Sequence, residues 1–211
     1  LKPILGLELT ATPFIESSKG PISFKNTIYE YPLAKAIDDG FVKKPAVATR
    51  SDFIVSNHSK EEVERIKIED GIHLHEQVKA DLQVYASQHG HRAVKPFMLL
   101  IASDTTHASR LLERFRSKEF FEGQYADKVI EVHSAQKGEE KEETIERLIA
   151  VENPDEPTEI VIHVNMLKEG WDVTNLFTIV PLRAAKARTL VEQSMGRGLR
   201  LPYGRRTGVE A

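Results

Sequence analysis

Pro96-Phe97-Met98-Leu99-Leu100-Ile101-Ala102 is the stretch on which the fold turns. A run this apolar has strand length and offers no polar side to water, so it reads as a strand buried on both faces. Asp104 then stands where an N-cap belongs, and Ala108, Leu111, Leu112 and Phe115 follow at helical spacing. This strand-then-helix unit recurs. Residues 129–132 read as a strand and 139–151 as a helix carrying Ile145, Leu148 and Ile149 on one side. Residues 159–164 and 178–181 read as further strands, and 189–194 as a last helix. The alternation predicts an α/β fold, a doubly wound parallel sheet flanked by helices. Functional groups in such sheets gather at the carboxyl ends of strands. That rule assigns Ser103, Asp104, His133, Ser134, residues 165–172 and Arg183 to one rim.

Upstream the pattern is less regular. Residues 4–9 are a short apolar run halted by Pro13, and residues 17–21 form a polar connector that reads as a hinge. Residues 33–37 predict a short helix closed by Gly40, and Ala46-Val47-Ala48 a strand. Residues 60–70 form a charged surface helix with Val63 and Ile66 on a narrow apolar side. Leu74, Val78, Leu82 and Tyr85 predict a separate amphipathic helix over 74–88. His73 and His75, with His89 and His91, make two His-x-His pairs at opposite ends of a helix of about 20 Å. They cannot share an ion, so no metal site is expected and surface or capping roles are.

The totals set bounds. With 211 residues, 40% of them hydrophobic, the chain can bury one principal core. A net charge of −3 excludes coating nucleic acid by bulk electrostatics, so any such binding needs a local patch. One exists: seven basic residues lie between Arg183 and Arg206 against a single acid, Glu192. A solvated basic face is the plainer reading of that run. The absence of cysteine removes disulfides, thiolate metal sites and thiol nucleophiles, and fits a cytoplasmic location. No apolar run approaches the roughly 18 residues of a membrane span. The chain opens on Leu1 inside an apolar run, which reads as an excised piece of something longer.

The basic patch contains Gln193-Ser194-Met195-Gly196-Arg197-Gly198-Leu199-Arg200-Leu201-Pro202. Arg197 and Arg200 are three apart, so a helical turn puts both on one face. Two guanidiniums there, with Gly196 and Gly198 allowing close backbone approach, suit a phosphate chain. A salt-bridged pair ending a helix is the alternative.

This Gln-x-x-Gly-Arg-x-x-Arg pattern resembles the last signature motif of superfamily 2 helicases and translocases. Leu9-Thr10-Ala11-Thr12-Pro13 resembles the motif that ends their first motor lobe, and Val164-Asn165-Met166-Leu167-Lys168-Glu169-Gly170-Trp171-Asp172-Val173 resembles their fifth motif. Within that superfamily the run from 166 to 202 is most similar to the restriction (Res) subunit of type III restriction-modification enzymes. The resemblance implies a first-lobe remnant and hinge over 1–21. A second, RecA-like lobe over 22–211 would follow, with a helical insertion near 55–92.

It implies that Arg197 and Arg200 are arginine fingers, that Gln193, Gly170 and Asp172 face the nucleotide, and that Thr10 and Thr12 couple nucleotide state to nucleic-acid binding. Asn165, Lys168, Arg183, Lys186 and Arg188 are the candidates for DNA-backbone contact, since relatives place a threonine where this chain has Val164 and Asn165. Trp171 reads as a packed core anchor, with base stacking the alternative.

No Gly-x-x-x-x-Gly-Lys-Ser/Thr loop occurs. ATP and Mg²⁺ are therefore expected in the whole protein, held mainly by a missing N-terminal motor lobe, and the piece alone is expected to be inactive. DNA and a methyltransferase (modification) subunit are the implied partners, and no membrane is. Two other readings stand: a non-catalytic nucleic-acid or protein binding module of the same fold, and a repair or RNA helicase lobe.

Overall fold

The computed structural model describes residues 6–10, 13–15, 17, 20–133, 138–164, 171–182 and 194–207. The chain divides into two compact units, Leu1–Asp39 and Gly40–Ala211.

The first unit holds β1 (Phe14–Ile15), β2 (Ile22–Ser23) and α1 (Leu33–Asp38). β1 and β2 pair antiparallel, Phe14 opposite Ser23 and Ile15 opposite Ile22. The Ser17 hydroxyl donates to the Gly20 carbonyl (2.6 Å), and Gly20 takes φ +113°, a left-handed value that its missing Cβ permits. Ser17 and Gly20 belong to the polar connector expected at 17–21, of which residues 18 and 19 lie outside the described residues. α1 starts behind Pro32, whose fixed φ suits a helix start.

The second unit is built on a four-stranded, all-parallel sheet. Its strands are β3 (Phe97–Ile101), β4 (Val129–His133), β5 (Ile160–Val164) and β6 (Leu176–Pro181), in the order β4-β5-β3-β6. Flanking it are α2 (Lys60–His89), α3 (Thr105–Arg116) and α4 (Gly138–Ile149). The expected α/β class is what the structure has. β3 lies inside, parallel to both β5 and β6, and all five of its residues are buried. Met98 and Leu100 point to one face, where they meet Ile68 and Ile72 of α2 and Leu111 and Phe115 of α3. Phe97 and Leu99 point to the other, against Leu148 of α4, Trp171 and Val173. Alternation along one strand therefore generates two cores.

Asp104 caps α3 as expected, its carboxylate accepting from the His107 N–H at 2.8 Å. Three local expectations fail. Residues 46–48 form no strand, and Val47 stands 84% exposed, with no strand paired to it among the described residues. Ile149 is 69% exposed, since α4 turns Leu148 rather than its neighbour to the sheet. The separate helices over 60–70 and 74–88 are one helix of 30 residues. Ser59 opens it with a reciprocal capping box: its hydroxyl accepts from the Glu62 N–H (3.1 Å), and Glu62 accepts from the Ser59 N–H (2.8 Å). Gly90 closes it in the left-handed region.

The face of α2 that is buried runs through Ile68, Gly71, Ile72, His75, Leu82 and Ala86, not through Leu74. Gly71 sets the approach of α2 to the sheet: a Cβ there would lie 2.5 Å from Val180 Cγ2 and 3.2 Å from Met98 Sδ. Val180 is β-branched and cannot swing aside. Replacing an unconstrained helical glycine by alanine should stabilise by about 1 kcal/mol. Gly71→Ala should instead destabilise by about 1–2 kcal/mol in urea unfolding, and adding Val180→Ala should recover part of that loss rather than add to it.

Candidate functional site

Residues 194–198 are helical, and the turn continues through Leu199 N–H to the Met195 carbonyl (2.9 Å) and Arg200 N–H to that of Arg197 (3.2 Å). One side of this turn is anchored: Ser194 and Leu199 are buried, and Gly198 leaves room for Ile179 Cδ1, 3.2 Å from where a Cβ would stand. The close approach expected at the glycines is therefore a helix-to-strand contact at Gly198. Gly196 faces open space.

The other side carries the arginines, and both reach the same dipeptide. An Arg197 Nη1–H donates to the Trp171 carbonyl, and its guanidinium lies 5.8 Å from the Trp171 ring centroid. Arg200 Nη1 pairs with Asp172 Oδ1. Partial burial pulls the Arg197 pKa below its ordinary value, the charge of Arg200 adds to that, and Asp172 opposes it. Arginine starts so high that the group stays a cation.

Trp171 explains why the dipeptide is fixed. Only 8% exposed, its ring packs 5.8 Å from that of Phe97, and its Nε1–H donates to the Leu148 carbonyl (3.2 Å). It is a core anchor, closed to base stacking. Phe97 opens β3 and Leu148 lies in the last turn of α4, so Trp171 and Asp172 sit at the amino ends of the strands. The rim expected to hold them is at the opposite end, with Ser103 and His133. The cause is apolar burial: Trp171 and Val173 cover Phe97 and Leu99. Asp172 remains exposed.

Lys43 joins this site without any sequence signal. Its backbone N–H donates to the Leu199 carbonyl (2.7 Å), its Nζ donates to that of Leu176 (2.8 Å), and the ammonium stands 3.6 Å from the Phe177 ring centroid. Burial pushes its pKa down to about 7. The lysine ties the arginine-bearing turn to the start of β6.

At the carboxyl rim a second polar chain links α2 to α3. Ser103 Oγ lies 2.9 Å from His107 Nδ1, and His107 Nε2 faces Glu64 Oε2 at 2.8 Å. Glu64 also meets Arg110 (3.2 Å). Sequence reading put Ser103 and Asp104 on this rim and had no means to pair His107 with a residue on α2.

His75, Glu76 and Glu159 cluster closely enough to hold an ion in principle. Glu159 is already saturated, however. Lys79 Nζ (2.8 Å) and His75 Nε2 (3.3 Å) reach Oε2, and Lys128 Nζ (2.9 Å) reaches Oε1. Two ammoniums do the neutralising that a metal would. Burial raises the Glu159 pKa, but these hydrogen bonds outweigh it and hold the carboxylate well below its usual range. His75 is thus a buried network residue rather than the surface or capping histidine expected.

Of the other expected site residues, Thr10 is described, exposed and in the first unit. Thr12, Asn165, Lys168, Gly170, Arg183, Lys186, Arg188 and Gln193 lie outside the described residues. Among the described residues no helix is long and apolar enough to cross a membrane.

Fold and site together define a three-layer α/β domain, a parallel sheet between helices, with two guanidiniums gathered on one dipeptide. No protein-family model matches the chain. It is similar to the type III restriction-modification enzyme EcoPI Res subunit of Escherichia phage P1, 24% identical over 208 residues. The match takes in 93% of the chain and 19% of that relative, so the chain spans about a fifth of the relative's length.

Two outcomes separate core from surface here. Trp171→Ala should cost about 3–5 kcal/mol in urea unfolding. Asp172→Asn, which breaks an ion pair whose side chains are 39% and 75% exposed, should cost less than about 1 kcal/mol. The Glu159 network should appear in acid. A carboxylate depressed in the folded state contributes fully above its unfolded pKa of roughly 4.3 and loses that contribution as pH falls below it. Glu159→Gln should accordingly be less stable than the parent chain at pH 7, with the gap narrowing but still present at pH 3 in thermal melts.

Proposed function

We propose that this chain is the second motor lobe of an ATP-dependent DNA helicase or translocase resembling a type III restriction Res subunit. One observation carries the reading: Arg197 and Arg200 converge on Trp171-Asp172, two stretches that the helicase resemblance assigns to one nucleotide pocket. Similarity to a Res subunit along 93% of the chain supports it.

On this reading the rest of the motor holds ATP and Mg²⁺, which supply the phosphoryl group and the neutralising metal. The chain adds positive charge where negative charge develops, the task of an arginine finger. Asp172 keeps Arg200 extended until phosphate oxygens compete for it, and the Trp171 carbonyl does the same for Arg197. Both acceptors are weak holds, one an exposed ion pair and one neutral, so an anionic phosphate displaces them readily. Gln193 and Gly170 complete the nucleotide face. Asn165, Lys168, Arg183, Lys186 and Arg188 grip the DNA backbone without reading sequence. Thr10 and Thr12 couple the two events, and a modification methyltransferase is the partner that would direct the motor to its sites. The 211-residue chain alone neither hydrolyses ATP nor cuts DNA.

A competing reading has one observation in its favour: both guanidiniums already own protein acceptors, as in a salt-bridged helix end of a non-catalytic binding module. ATP turnover by the longer protein decides between them. Arg197→Ala and Arg200→Ala should each lower kcat by roughly 10³ to 10⁵ with ATP binding largely kept. Unchanged turnover in both variants, or Mg²⁺-dependent hydrolysis by the 211-residue chain that Arg197→Ala abolishes, would overturn the proposal.

A further inference from the structure

Lys43 bridges the two elements on which the arginine pair depends. Its backbone N–H donates to the Leu199 carbonyl (2.7 Å), and Leu199 stands between Arg197 and Arg200. Carbonyls at the end of a helix have no intrahelical donor, so this bond gives the end of the arginine-bearing turn its partner. The Lys43 Nζ donates to the carbonyl of Leu176, the first residue of β6 (2.8 Å), and lies 3.6 Å from the Phe177 ring centroid. The turn rests on the same strand: a Cβ at Gly198 would stand 3.2 Å from Ile179 Cδ1 and 3.8 Å from Leu176 Cγ. One residue thus holds the turn with its backbone and the strand with its side chain. The segment that carries it is packed in turn against the chain beyond the arginines, since Gly40 takes φ +68° and a Cβ there would lie 2.6 Å from the Arg206 guanidinium.

An amine is a poor choice for this position if packing is all that is required. Burial pushes its pKa down to about 7, and among the described residues no carboxylate offsets that. Leucine or methionine would fill the space without desolvating a charge. What the amine supplies, and an apolar side chain cannot, is a donor that fixes residue 43 to the start of β6 and, through residue 43, fixes Leu199. Arg197 and Arg200 then reach Trp171 and Asp172 from a turn whose seat on β6 is set. Residues that break a local rule in this way gather at functional sites.

We infer that Lys43 is a positioning residue for the arginine pair: by tying Leu199 to the start of β6 it holds both guanidiniums where negative charge develops in ATP hydrolysis. This rests on the reading of Arg197 and Arg200 as arginine fingers. Lys43 acts through the turn and need not touch the nucleotide. A misplacement of about 1 Å, far from the chemistry, can lower turnover roughly a hundredfold.

In the longer protein, Lys43→Met, which keeps the stem and removes the donor, should lower kcat for ATP roughly ten- to a hundredfold with KM within about twofold of the parent. Lys43→Arg, which restores a donor and a cation, should recover most of that loss. With Arg197 and Arg200 both replaced by alanine, adding Lys43→Met should lower kcat no further, because the residue has nothing left to position. In the 211-residue chain, Lys43→Met should unfold at a urea concentration close to the parent's. The emission of Trp171, its single tryptophan, should change in the same direction as in Arg197→Ala. Full kcat in Lys43→Met, or a further loss of kcat on the double-alanine background, would overturn this inference and leave the arginine fingers standing. A Lys43→Met chain that no longer folds would make the residue a structural support and overturn the inference as well. Unchanged turnover in the Arg197→Ala and Arg200→Ala variants overturns both the inference and the reading beneath it, and those two variants alone tell the cases apart.

Discussion

Everything in the second unit follows from the need to cover both faces of β3. Its five residues lie between two parallel neighbours and are wholly apolar, so neither side can be left to water. One side is covered by α2 and α3. The other takes α4 and also Trp171 with Val173. That second requirement holds Trp171 at the amino ends of the strands, and with it Asp172. The arginine-bearing turn, seated on β6 through Gly198 and held by Lys43, then has its cationic side against the same dipeptide.

The site is therefore a by-product of packing, and its parts differ in how firmly they are held. Trp171 is fixed by burial and by the Leu148 carbonyl. The Arg200–Asp172 pair is exposed, where such pairs hold only loosely. Lys43 adds a constraint of another kind. It ties the arginine turn to the foot of β6, so that the two cannot move independently without breaking the Lys43 hydrogen bonds to the Leu199 and Leu176 carbonyls.

α2 shows a different economy. It is long, mostly polar outside and glycine-notched inside, and it carries two networks to opposite ends of the sheet. Glu64 meets His107 at the carboxyl rim, and His75 meets Glu159 near the amino ends. Its last two turns bring the Tyr85 and His89 rings within 4.7 Å of each other. One helix thus touches two separate polar sites, each satisfied by residues far away in the chain.

The sequence by itself determined the elements whose physics is local. A continuous apolar run announced β3, shorter strand-like segments announced β4, β5 and β6, Asp104 announced the start of α3, and the arginine spacing put both cations on one turn. Tertiary structure decided what depends on distant partners. It merged two expected helices into α2, because Gly71 is a docking point and not a break, and it left residues 46–48 without a strand, because pairing needs a neighbour. It moved Trp171 and Asp172 to the amino ends, since burial of a large ring outweighs its sequence distance from β5. It also recruited Lys43, His75 and Glu159, whose roles arise only when residues some 80 to 130 positions apart meet. Periodicity records which side of an element is apolar; which residues stand across from it is set by packing alone.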